Sequence, residues 1–227
     1  MHWLLLIALA IALIAGPQWW VKKTLNRYSA HRDDIPGSGA ELATHLLDRL
    51  QLSAVELSTE GESDHYDPIK KQVCLNGTVA SQHSLTAVVI AAHEVGHALQ
   101  DATGYTPLMW RTRIARIYTA LEKFGGLLLL AIPLVLLITR VPQSSLVMLL
   151  LAAGSIGASV LLNLITLPVE LDASFNRALP LLKAGNYLSP ADMPAANKIL
   201  TACALTYVAA SLISLVNAGR WLRFARR

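Results

Sequence analysis

Val88-Val89-Ile90-Ala91-Ala92-His93-Glu94-Val95-Gly96-His97-Ala98-Leu99 is an apolar run that carries two histidines and a glutamate. On a helix, residues four apart project from one face about one turn apart, so His93 and His97 point the same way. Two imidazoles at that spacing can reach a single zinc ion, which leaves Glu94 beside a water that the metal would activate. The chemistry this permits is hydrolysis: the ion acidifies the water, and the carboxylate takes its proton as it attacks a carbonyl. Such polar groups are costly in an apolar setting without a metal to justify them. Ser84 is the expected N-cap of this helix and Gly104 its expected end.

Around that run the chain is unusually apolar. Of 227 residues, 54% are hydrophobic and 15% charged, where a soluble domain carries roughly 25% charged residues. The composition therefore predicts a membrane protein with a lipid bilayer as its partner. A net charge of +4 does not point to nucleic acid, because the Lys and Arg residues cluster beside apolar segments, as the positive-inside rule requires. Cys74 and Cys203 are too few for a disulfide framework and read as free thiols of a cytosol-facing protein.

Four apolar segments are expected to span a membrane: Trp3 to Trp20, Phe124 to Thr139, Leu146 to Leu167, and Ile199 to Val216. The first lacks a basic leader and a small-residue cleavage site, so it reads as an uncleaved helix with an aromatic belt at Trp19-Trp20. The expected division is 1–21 as a membrane helix, 22–123 as a catalytic domain, 124–167 as two membrane helices, 168–198 as a polar segment, and 199–227 as a last membrane helix with a basic tail. The fold expectation is mainly α: an integral membrane protein with about four transmembrane helices and a small α+β catalytic domain. Most basic residues, Lys22, Lys23, Arg111 and Arg113 among them, fall on the side of the two polar regions, which places those regions in the cytoplasm of a multi-pass inner-membrane protein. Arg220, Arg223, Arg226 and Arg227 oppose that count, so either the tail lies outside or the fourth segment does not cross.

Within the polar regions, Ser38 to Glu41 has the spacing of a capping box and precedes an amphipathic helix ending near Leu52. Val55 to Leu57 and Gln72 to Leu75 read as short strands, Asp64 to Pro68 and Asn76-Gly77 as turns.

A catalytic zinc needs a third protein ligand on the same side of the membrane as His97. Glu170, opening a helix after Pro168, is the best placed, with Asp172 the nearest competitor. Asp172 faces away from Glu170 on a helix and is better cast as an acceptor that orients a histidine. His65 or Tyr66 could donate to the transition state or line a cleft entrance, or could simply belong to a turn. Val73, Cys74 and Leu75 could form an edge strand that pairs with an extended substrate, or a plain structural strand. Arg177 could support an oxyanion or serve as a topological anchor.

Three blocks resemble a known family, the YugP-like membrane-bound neutral zinc metallopeptidases of bacteria: Asp64-His65-Tyr66-Asp67-Pro68, then Ala91-Ala92-His93-Glu94-Val95-Gly96-His97-Ala98-Leu99-Gln100, then Leu167-Pro168-Val169-Glu170 with Ala173-Ser174. The blocks follow the family's order and span nearly the whole chain. The resemblance implies zinc held by His93, His97 and a downstream glutamate, with Glu94 catalytic. It also implies a zincin-like, gluzincin-type catalytic domain. Gluzincin membrane proteases carry an Asp where this chain has Ser174, a position whose expected task is to support a ligand. The expected function is a zinc-dependent endopeptidase acting on membrane-associated proteins or peptides. A zinc-stabilised scaffold without activity, and a zinc hydrolase of a lipid or small amide, are the alternatives.

Overall fold

A computed structural model describes residues 2–119, 162, 165–206 and 209, with side chains described from residue 15 onward. Helix α1 (His2–Arg27) holds Pro17 in its interior and ends in a polar turn with Arg27. Ser38 starts α2 (Gly39–Arg49) through the expected capping box: its hydroxyl accepts the Glu41 amide, and Glu41 accepts the Ser38 amide at 2.7 Å. Those reciprocal bonds satisfy amides that a helix start otherwise leaves open. The apolar stripe of α2, Leu42, Ala43, Leu46 and Leu47, is buried.

Three strands follow, β1 (Glu56–Gly61), β2 (His65–Asp67) and β3 (Gln72–Asn76), in the order β1-β3-β2. β1 pairs parallel to β3, and β2 pairs antiparallel to it, with Tyr66 opposite Val73. The strand holding Val73, Cys74 and Leu75 is therefore central, not an edge. Both of its sides are already paired and all three side chains are buried, so an extended peptide has no backbone groups to meet there. The edges are β1 and β2, and β2 lies where the sequence reads as a turn. Its turn comes later: Asp67 accepts the amides of Ile69 and Lys70. Asn76 is the N-cap of a short helix, α3 (Gly77–Ser81), its side chain accepting from Thr78 and Val79.

Helix α4 (Leu85–Ala102) starts where Ser84 accepts the Ala87 amide, and nearly all its side chains are buried. The chain reverses at Gly104, whose φ of +66° an L side chain would resist, and enters α5 (106–119). Beyond it, α6 (165–171) leads into a π-helix (Asp172–Ala178), α7 (Leu179–Ala184) and α8 (193–206). One core joins these parts, and Leu46, Leu75, Val89, Leu182, Ile199 and Leu200 lie within it.

That core corrects the expectation of a four-span integral membrane protein. Among the described residues the chain is mainly helical with one small sheet, and no helix is long and apolar enough to cross a membrane. The apolar residues of α4 face protein, and Ile199, Leu200 and Cys203, expected to begin the fourth span, pack in the same core. The expected second span, most of the third, the end of the fourth and the basic tail lie outside the described residues.

Candidate metal centre

Helix α4 presents His93 and His97 on one face, their rings 4.7 Å apart and nearly perpendicular. Glu170, near the end of α6, meets them from across the core, with Oε2 3.2 Å from Nε2 of each ring. One candidate ligand atom from each residue lies within 4.8 Å of the other two, so the cluster could hold a metal ion. Glu170 is 1% exposed, and its other oxygen, Oε1, is fully buried without a hydrogen-bond partner. A buried carboxylate oxygen with no donor is costly. A divalent cation between the three groups balances the buried charge of Glu170, and two imidazoles with a carboxylate suit zinc. The residues fit the metal.

Each histidine is held at its far nitrogen. Gln100, three residues after His97, donates through Nε2 to the Val169 carbonyl and to Asp172 Oδ2, both at 2.8 Å. Those acceptors fix the amide so that its oxygen faces His97 Nδ1 at 2.9 Å. An amide oxygen only accepts, which assigns the His97 proton to Nδ1 and leaves the Nε2 lone pair toward Glu170. Ser174 does the same for His93: its hydroxyl donates to the Leu200 carbonyl and accepts from His93 Nδ1, both at 3.1 Å. Such partners set the tautomer and raise the basicity of a metal ligand.

Asp172 thus reaches a histidine through Gln100 and not directly. Asn176 and Arg177 donate to Asp172. Arg177 also bonds Thr103 and lies over the Tyr105 ring, and it does not line the cavity in front of the metal cluster. Gly96 allows the two ligand-bearing elements to meet, since a Cβ there would lie 2.8 Å from the Ala173 carbonyl oxygen.

A cavity of about 300 Å³ opens in front of the cluster, lined by Glu94 together with Asp64, His65, Tyr66 and Arg111. Burial pushes the Glu94 carboxyl up to about 7; His93 and Arg111 draw it down, while Glu170 and Asp64 push it further up. It can therefore gain and lose a proton near neutral pH, as a general base must. Burial acts the same way on Glu170, but charge and hydrogen bonds from His93 and His97 in their protonated form outweigh it and hold this carboxyl below its usual range.

His65 lies exposed on the β2 edge, bonded to Ser63. The Tyr66 hydroxyl is committed elsewhere, donating at 2.6 Å to Asp101, which also takes Lys71. Asp64 accepts both amide groups of Asn76. The central strand places Val73, Cys74 and Leu75 in the core, and only Cys203 of the two thiols lines the cavity. Sequence reasoning missed Gln100 and Arg111. Gln100 was detectable, since a residue three beyond His97 shares its helix face. Arg111 gave no local signal, because the Gly104 reversal is what brings α5 to the cavity.

Residues 3–226 match the family described as "Putative neutral zinc metallopeptidase". A curated relative, "Putative membrane protease YugP" of Bacillus subtilis (strain 168), is 34% identical over 224 residues, covering 98% of this chain and 96% of its own. No solved structure matches the chain.

Proposed function

Because this chain belongs to the neutral zinc metallopeptidase family, we propose that it is an endopeptidase that hydrolyses proteins or peptides at His93, Glu94, His97 and Glu170. The observation that carries this reading is the convergence of two Nε2 atoms and Glu170 Oε2 beside a cavity that also receives Glu94. Three donors facing open space favour a catalytic site over a scaffold, which would close four ligands around its ion.

When bound, zinc polarises the scissile carbonyl and acidifies the attacking water. His93 and His97 offer it their Nε2 lone pairs, with their Nδ1 protons anchored on Ser174 and Gln100. Glu94 accepts a proton from the water as its oxygen bonds to the carbonyl carbon. The same carboxyl then gives that proton to the departing amine nitrogen as the C–N bond breaks. β2 lies at the sheet edge beside the cavity, where an extended substrate backbone can align.

The substrate is a membrane-associated polypeptide. The relative's printed name supports this, as do exposed Trp19 and Trp110, each with a basic side chain over its ring (Lys23 at 4.5 Å, Arg113 at 5.6 Å). Tryptophan with a neighbouring cation suits a lipid headgroup layer.

The test pairs metal analysis with cleavage of a fluorogenic peptide for wild type and Glu94→Gln. Zinc content should stay and cleavage should fall by about 10²–10⁴-fold, the usual contribution of a general base. Undiminished cleavage by the zinc-loaded variant overturns the reading.

A further inference from the structure

We propose that Arg111 is a positioning residue that holds the outer oxygen of Glu170 and so keeps that carboxylate a one-oxygen ligand. The inference rests on Glu170 being a metal ligand, as proposed above. Glu170 Oε2 alone faces the two histidines, 3.2 Å from each Nε2. Oε1 is buried without a hydrogen bond, and Arg111 Nη2 lies 3.7 Å from it. That separation is an ion pair, longer than a hydrogen bond. In a buried setting water screens such a pair weakly, so the guanidinium still draws negative charge onto Oε1.

The consequence concerns the space available at the ion. A carboxylate free at both oxygens can turn and bind with both, filling a position that water and substrate need. A cation on Oε1 opposes that turn. Arg111 is well suited to the task, since its guanidinium cannot lose its charge and spreads its donors in a plane. Its side chain is 19% exposed and lines the cavity, so it reaches Glu170 from the substrate side. It is also the only Lys or Arg among the described residues that line the cavity, facing Glu94, Asp64 and Glu170.

The experiment uses the purified full chain, with zinc affinity read by competition against a chromophoric chelator and coordination read from the visible spectrum of the cobalt(II)-substituted protein. Arg111→Met should weaken zinc binding by about 10–100-fold, the usual range for a partner of a metal ligand, and should lower the cobalt band intensity, which falls as coordination number rises. Arg111→Lys, which keeps the charge, should restore much of the affinity. In a Glu170→Gln background, Arg111→Met should cost nothing further.

Unchanged affinity and spectrum in Arg111→Met overturn the proposal. An equal loss with and without the Glu170 carboxylate also overturns it, because the role would then be structural. Should Arg111→Met not fold, Arg111→Gln decides: a loss of affinity that disappears in the Glu170→Gln background upholds the proposal, and unchanged affinity and spectrum overturn it. Failure of the peptidase reading is separate, since it would show as undiminished cleavage by Glu94→Gln while the metal measurements stand.

Discussion

The Ser174 hydroxyl stands 3.1 Å from His93 Nδ1 while it donates its own proton to the Leu200 carbonyl, also at 3.1 Å. The carbonyl decides the hydroxyl's direction, and the hydroxyl decides the histidine's tautomer. A neutral group therefore holds the ring without adding charge to a core that already contains Glu94 and Glu170. Ser174→Ala leaves His93 Nδ1 and the Leu200 carbonyl without this partner. Zinc affinity should fall by about 10-fold or more, measured by chelator competition. Wild-type affinity in that variant would show that the hydroxyl does not orient the ring.

Gln100 ties His97 to Asp172 and to the Val169 carbonyl, one residue before Glu170. It is fully buried, so nothing else can take over its bonds. Gln100→Leu keeps the volume and loses all three bonds; Asp172 keeps Asn176 and Arg177, but the buried Val169 carbonyl and His97 Nδ1 lose this partner, at about 1–3 kcal/mol each. The variant should bind zinc about 10–100-fold more weakly and unfold at lower denaturant in the presence of chelator. Gln100→Glu should be worse in stability, because its carboxylate would face Asp172 where the amide donates. Equal midpoints for the two variants would contradict that electrostatic argument.

The readable parts of this site are those whose information is local. His93, Glu94 and His97 declare themselves through helical spacing, and Ser38 and Ser84 through capping. β2 has three residues, too few to show alternation. The central place of β3 comes from the parallel partner β1, a pairing that no neighbouring residue signals. Ile199 to Cys203 misled for another reason: a helix buried in a protein core and a helix in lipid have the same composition. Only the tertiary partners, among them Leu182 and Val89, separate the two.

Gly96 sits between the two histidines because α4 and the π-helix touch there. A methyl group would stand 2.8 Å from the Ala173 carbonyl oxygen, which belongs to backbone and cannot swing aside. Gly96→Ala should destabilise by about 1–3 kcal/mol, as overpacking does, and should also weaken zinc binding, because Ala173 lies three residues from Glu170. Gly104→Ala is the control. Its φ of +66° makes it strained, costing about 1 kcal/mol, yet nothing lies near its side-chain position. Thermal melts with zinc and with chelator should show a metal-dependent deficit for Gly96→Ala only. The same metal dependence in both would remove the special role of the α4 contact.

Arg32 grips Asp192 with two nitrogens, at 2.6 and 3.1 Å, and so ties the segment after α1 to the start of α8. The Arg32 hydrogen bond holds the Asp192 carboxyl below its usual range, with Ser189 assisting against the opposing effect of burial. A depressed native value means that the unfolded chain takes up the proton first as pH falls. The contribution is therefore complete above the ordinary carboxyl value and disappears as pH drops through the native one. The pair is partly exposed, at 34% and 16%, so screening limits it to about 1 kcal/mol. Asp192→Asn should thus be less stable than wild type by about that amount near pH 7, and the gap should narrow at pH 3, below the ordinary carboxyl value. Denaturant titrations at the two pH values measure it, and a gap of equal size at both would show that packing, not charge, joins these segments.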